Sequence, residues 1–550
     1  MTFRYYFSIL FFVLLSACTS QKQATVASDT KSIEQLKAHI QYLSDDKLEG
    51  RRAGTPGEKL AMEYIAAQFN VIGLIPKGTD AYYQAFSIND GKQISPATWL
   101  TINNNKLEAG TEYFPFPYSS NQKIEAQPAI AVQEADMPWF YDLKDILDEN
   151  KNNPHFDLAD YIYTNAKKAR DRGASAVILY NSSTNDDKLV FNGRDRSEKL
   201  SIPVIYIKQE AAQKYLKDAS ATVDIKFQAE ISEKTRTGHN VAGYIDNGAT
   251  TTVILGAHFD HLGYGEDNNS MHRTGEKAIH NGADDNASGT AALIELARLL
   301  KTTKSKNNNY LFIAFSGEEL GLFGSKFFTD NPTIDLKTVS YMINMDMVGR
   351  LNDSSKTLTI GGYGTSPSWA SVVRKDASLP FSIRIDSSGT GPSDHTSFYR
   401  KDIPVLFYFT GIHADYHRPS DDAGKINYQG EWQIIQHIYS VIQGMNDKGK
   451  PTFAKTRETQ TSTNSAFKVT LGILPDYTWT GTGVRADGVT ENRPAAKAGL
   501  KTGDIILKMG DHNIASLENY MQALGKFQKG DKTKVTYKRG NETLETTVEF

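Results

Sequence analysis

Only one cysteine, Cys18, stands in 550 residues. No intrachain disulfide can form, and no zinc site can be built from paired cysteines. Neither charge is in excess, since 61 Lys and Arg against 64 Asp and Glu leave a formal net charge of -3. That balance supplies no broad basic surface for releasing counterions from a polyanion, so nucleic acid is not an expected partner. Long apolar runs are missing too, apart from the stretch Tyr5 to Leu15 that follows Arg4. It is shorter than the roughly 20 residues needed to cross a bilayer, and its length suits the apolar part of a signal peptide. Hydrophobic content of 39% with charged content of 23% is ordinary for a globular protein and excludes collagen-like or disordered classes. At a prior of about 150 residues per domain, the length predicts several units instead of one core.

The apolar run ends in Leu15-Ser16-Ala17-Cys18, which resembles the bacterial lipoprotein box, where the cysteine is lipidated and becomes the new N-terminus. The resemblance implies residues 1–17 as a lipoprotein signal peptide, 18–30 as a polar tether, export across the inner membrane, and a lipid anchor facing the periplasm or in the outer membrane. Residues 31–110 begin with helical spacing over Ile33 to Leu43 and Gly57 to Phe69, stopped by Gly73 and Pro76. Across 111–235 an amphipathic stretch, Asp160 to Arg172, leads through small residues into the apolar strand Val177 to Tyr180, and a second strand follows at Ile202 to Ile207. That succession resembles a protease-associated (PA) domain inserted in a peptidase. From 236 to 445 β-rich runs alternate with amphipathic helices. The expected fold is therefore α/β, a mostly parallel sheet with helices on both faces. Residues 446–465 are rich in Lys, Thr, Ser and Asn and read as a linker before a small β-rich domain at 466–550.

Candidate metal ligands fall where strands end. His258 and Asp260 follow Val253 to Leu255, Glu318 and Glu319 follow Leu311 to Phe315, and Asp346 follows Tyr341 to Ile343. The carboxyl ends of strands in an open α/β sheet line the ligand crevice, so three strands would aim acids and an imidazole at one place. Asp285 lies within Gly282 to Gly289, just before the helical stretch Ala291 to Leu300.

His258-Phe259-Asp260, the Asp285 segment, Gly317-Glu318-Glu319, Asn344-Met345-Asp346 and the late His417 resemble, in that order, the co-catalytic zinc aminopeptidases related to bacterial leucine aminopeptidases and glutamate carboxypeptidases. The resemblance covers about residues 31 to 110 and 235 to 445 and implies two Zn2+ ions. It makes Asp285 the bridging carboxylate, with His258 and Asp346 on one metal and Glu319 and His417 on the other. Asp284 is set aside, because the family's bridging acid is followed by two residues and then Ser-Gly. Asp260 then holds the His258 ring, and Glu318, unligated, acts as general base. The peptide bond after Asp285 is expected to be cis. His261, His272, His280, His413 and His437 receive no ligand role. Ser393-Asp394-His395 resembles a family motif near the substrate pocket. The tyrosine that some relatives place just upstream as an oxyanion donor is missing, which leaves Tyr363 and Tyr416 as candidates.

Arg493 to Ile506, with Pro494, Gly499, Gly503 and Asp504, resembles the PDZ domains of bacterial proteases, which bind an extended peptide or a protein C-terminus by strand addition. The expected function is a zinc-dependent exopeptidase, foremost an aminopeptidase acting on peptides with a free N-terminus. Three alternatives stand beside it. A glutaminyl cyclase shares the fold and several ligands but uses one zinc, a carboxypeptidase would act from the other chain end, and a non-catalytic PA/PDZ binding protein would not need the complete ligand set.

Overall fold

The computed structural model describes residues 29–550 except 152–155, 194, 196, 219, 268, 273–275, 374–378, 457–468, 477, 478, 480, 491 and 492. Cys18 and the signal segment lie outside the described residues. Among those described, no helix is long and apolar enough to cross a membrane.

The chain divides into two units, the first comprising residues up to 88, 236–465 and 488–493. Its elements used below are α1 (Pro56–Ile72), β1 (Ile75–Pro76), β2 (Tyr83–Ile94), β3 (Ile231–Ile245), β4 (Thr252–His258), α2 (Gly289–Lys301), β5 (Asn309–Phe315), β6 (Val339–Met345), β7 (Thr357–Gly361), β8 (Ser382–Ile385), β9 (Val405–Phe409) and α3 (Tyr428–Met445). The sheet runs β1-β3-β5-β4-β6-β9-β7-β8, with β2 paired to β3. The centre is parallel, β5 to β4, β4 to β6 and β6 to β9, while β3 and β7 join it antiparallel.

Strands β4, β5 and β6 are buried along their whole length, as expected of strands covered on both faces. Alternate residues go to opposite sides. Val253, Leu255, Phe312, Ile343 and Tyr408 pack with a helix over 29–43, α1, α2 and α3, whereas Ile254, Leu311, Ile313 and Met342 pack with Phe328 and Phe398. The helices stop where the sequence dictates. Gly73 closes α1 at φ 79, a left-handed geometry that costs glycine nothing. The 446–465 stretch, read as a linker, begins as part of this unit. Phe453 packs beside Tyr399, and the N–H of Ala454 donates to Thr365 O at 2.8 Å.

The second unit comprises 89–235, 466–487 and 494–550. Its first part holds two four-stranded sheets. One is Tyr113–Pro115, Val204–Ile207, Ala176–Tyr180 and Pro138–Asp142; the other is Asn105–Leu107, Trp99–Ile102, Ile225–Ala229 and Gln122–Ala126. Residues 99–107, expected with the first part of the peptidase domain, lie in this second unit, where 99–102 pair with 225–228. Leu100, Ile102 and Leu107 alternate inward onto the same apolar cluster as Ile225 and Phe227, and that shared burial fixes their pairing. The C-terminal part is a six-stranded sheet, antiparallel from Val484–Val489 through Glu542–Glu549, with short helices at Pro494–Lys497 and Leu517–Leu524. There Arg539 holds the buried Asp504 through two bonds of 2.7 Å.

Candidate metal centre and active site

The ligand candidates converge in the first unit because β4, β5 and β6 are parallel neighbours whose ends lie side by side. His258 is the last residue of β4 and Asp346 the first after β6. Asp285 sits in the turn entering α2, and its peptide bond to Asn286 is cis, as expected.

The two oxygens of Asp285 face different partners. Oδ1 lies 3.4 Å from His258 Nε2, which is also 3.4 Å from Asp346 Oδ1. Oδ2 lies 3.4 Å from His417 Nε2, which is 3.2 Å from Glu319 Oε2. His258, Asp285 and Asp346 form one group with metal-ligand spacing; Asp285 and Glu319 form a second with His261. His417 reaches the second group as well, while its Nδ1 faces Asn269 O at 2.8 Å. An N–H donated there leaves Nε2 free to bind a metal.

His261, given no ligand role from the sequence, stands beside the second group. Its Nδ1 approaches Glu319 Oε1 at 2.7 Å and Asp285 Oδ2 at 3.9 Å. The available signal was its place directly after His258-Phe259-Asp260, where the loop turns back over the strand ends. Asp260 stands against the His258 ring. The His258 Nδ1 lies 3.2 Å from its main-chain oxygen and 3.7 Å from its carboxylate, and that carboxylate also accepts the Glu318 N–H at 3.1 Å. Asp260 thus ties the β4 and β5 loops together.

The electrostatics suit cations. Burial opposes charging of His258, yet Glu318, Asp346, Asp260 and Asp285 outweigh it and hold the imidazole well above its usual range. Burial acts likewise on His417, where Glu319 and Asp285 win and push it up to about 11. Glu319 answers in the opposite direction, since burial would raise it but His417 and His261 hold it down at about 2. Histidines driven to charge themselves among buried acids mark a donor set that takes metal ions, which bind by displacing those protons. The mixed imidazole and carboxylate chemistry fits zinc. Glu318 is different, because burial first, then Asp346, Glu319 and Asp394, raise its carboxyl well above the usual range. Its Oε2 stands 4.0 Å from His258 Nε2.

Around this cluster, Ser393 Oγ donates to Asp346 Oδ2 at 2.8 Å and accepts from Asn344 Nδ2 at 2.8 Å. The Tyr416 ring stacks on His417 with centroids 3.8 Å apart. Tyr363 packs at the edge of the main apolar cluster.

Residues 240–442 match the model described as "Peptidase family M28", and residues 460–550 match that of a PDZ domain. The chain is 29% identical over 305 residues to aminopeptidase YwaD of Bacillus subtilis, covering 53% of this chain and 62% of that protein. It is 23% identical over 453 residues to the "Probable lipoprotein aminopeptidase LpqL" of Mycobacterium tuberculosis, covering 76% and 83%. The solved structure of BSAP, a zinc aminopeptidase from Bacillus subtilis, is similar at 22% identity and a TM-score of 0.42 over 74% of this chain and 94% of that one. The chain spans less than two thirds of the length of aminopeptidase YwaD. The ligand cluster thus lies within the segment that is similar to peptidase family M28, residues 240–442, and the segment similar to a PDZ domain follows it at 460–550.

Proposed function

We propose that the chain is a metallo-aminopeptidase that removes N-terminal residues from peptides at a two-zinc centre. The observation that carries this reading is the split of Asp285, whose Oδ1 faces His258 while Oδ2 faces His417. A carboxylate so placed is suited to bridging two ions. His258 and Asp346 would complete one site and Glu319 and His417 the other, with His261 orienting Glu319. The printed names of the relatives, aminopeptidases in both cases, support the direction of attack.

Zinc held there supplies a Lewis acid that polarises the scissile carbonyl and acidifies water. The chain's own residues do the rest. Glu318 has no place among the ligand groups, and its raised proton affinity equips its carboxylate to accept the proton of the attacking water and deliver it to the leaving amine. Asp260, through the Glu318 N–H, keeps that glutamate in register with the β4 loop. Tyr416, held against His417, offers a hydroxyl to the developing oxyanion. Burial, followed by the charges of Asp285, Glu319 and Glu318, raises that hydroxyl far above its usual range and keeps it a donor. We further propose that residues 111–235 are a PA-like insert, that the PDZ domain takes peptide termini, and that Cys18 carries a lipid. The last rests on Leu15 to Cys18 and on the description of the mycobacterial relative.

The test separates two adjacent glutamates. Glu318→Gln should keep its zinc and lose kcat by about a hundredfold or more, since an amide cannot accept the proton. Glu319→Gln should lose zinc and regain part of its activity on zinc addition. A reversed pattern overturns the assignment. A panel of peptides with free or acetylated N-termini distinguishes the aminopeptidase from the carboxypeptidase, and ammonia release from an N-terminal glutamine peptide without hydrolysis would indicate a cyclase.

A further inference from the structure

Arg51 is fully buried, yet among the described residues its guanidinium meets no carboxylate within hydrogen-bonding distance. Four of its five N–H donors go to main-chain carbonyls. Nε bonds Phe259 O at 2.7 Å, Nη1 bonds Asn281 O at 2.7 Å and Leu43 O, and Nη2 bonds Gly282 O at 3.0 Å. Phe259 lies between His258 and Asp260, and Gly282 stands three residues before Asp285. The main chain adds to the clasp, for Arg51 O accepts the His261 N–H at 3.3 Å and Gly50 O accepts that of Gly263 at 3.1 Å. There is no slack at this crossing. A Cβ on Gly50 would stand 2.5 Å from His280 O and 2.7 Å from Gly263 O.

We propose that Arg51 is a positioning residue for the metal centre, a clamp that sets the spacing between the His258–His261 loop and the Asp285 turn before any metal arrives. Charge alone could not do this, because the clamp needs a planar fork reaching three separate segments at once, which an ammonium cannot imitate. Asp260, Asp285, Asp421 and Glu319 surround the group closely enough to oppose the burial that pulls its pKa down to about 10. The cation therefore also sits under the acid-rich cluster. The inference rests on the metal reading given above.

Two measurements on the full chain test it. In metal-free wild type, hydrogen exchange should find the His261, Gly263 and Ala283 amides protected, as in the zinc-loaded protein. In Arg51→Lys those amides should exchange faster while β4 stays protected, and zinc affinity, read by competition with a chelator, should fall by about tenfold or more. The stabilisation gained on adding zinc should shrink with it, a readout that a merely structural arginine would leave unchanged. Wild-type zinc affinity in Arg51→Lys overturns the inference alone; a wild type that binds no zinc overturns the metal reading and this inference together. Should Arg51→Lys fail to fold, the wild type still decides, because free exchange at His261 and Ala283 without metal would refute a preset clamp.

Discussion

Acid should weaken this protein through a histidine that no reaction step uses. His395 is buried at 1% exposure, stacks on Phe407 at 4.4 Å and 10°, and leaves its Nδ1 without a partner. Burial alone pushes its pKa from 6.5 down to about 3. The sign follows from linkage. Between those values the unfolded chain binds a proton that the folded chain refuses, so the contribution is complete above pH 6.5 and is lost as pH falls toward 3. Each pH unit in that window costs about 1.4 kcal/mol, so at pH 5 the loss is about 2 kcal/mol, a large share of a typical 5–15 kcal/mol. Urea unfolding of the full chain at pH 7, 6 and 5, at fixed zinc, measures it. The perturbation is His395→Gln, which cannot titrate, and subtracting its pH dependence from that of wild type removes every other group. Stability of the wild type should fall more steeply than that of the variant by close to one proton per molecule at pH 5. Equal slopes would refute the reasoning, since His395 would then carry the same charge folded and unfolded.

Tyr416→Phe should retain its zinc and lose kcat by about a hundredfold, the usual cost of one oxyanion donor; unchanged kcat with the same zinc content sinks that role. Cys18→Ser should release an active enzyme from the membrane fraction, because the expected tether precedes the first helix of the catalytic unit. A variant that stays in the membrane after a salt wash rules out anchoring through Cys18.

The central strands were legible because burial on both faces leaves an unmistakable apolar run, as in Leu311 to Phe315. Beyond β6 the signal weakened. The sheet continues through β7 and β8, whose alternating polar residues, Thr357-Leu358-Thr359-Ile360 and Ser382-Ile383-Arg384-Ile385, are half exposed and resemble loop in composition. The pairing of residues 99–107 is hidden from the sequence for a similar reason. Trp99 to Leu107 forms a hairpin whose partner, Ile225–Ala229, lies more than a hundred residues later, and pairing at that distance leaves no trace in local pattern.

Adjacent candidates show most clearly what spacing can and cannot decide. Asp284 and Asp285 are both buried and share a sequence environment, yet the turn sends them apart. Asp284 spends its carboxylate on the Gly349 N–H at 2.7 Å, on Ser288 Oγ at 3.1 Å and on His413 Nε2 at 3.1 Å. That bracing fixes the loop after β6 against the start of α2 and leaves Asp284 no face toward His258. The backbone N–H groups of Asp284 and Asp285 both donate to Asp421 Oδ2, at 3.0 and 3.1 Å, which pins the turn from below while Arg51 holds the residues just ahead of it. Motif spacing favours Asp285 over its neighbour, and Asp285 is the one whose two oxygens face His258 and His417. It does not point to Arg51, whose main-chain partners Leu43, Phe259, Asn281 and Gly282 lie on three separate segments that no linear pattern links. The candidate ligands thus stand out in the sequence one by one at strand ends, while the contacts that brace them become visible only in three dimensions.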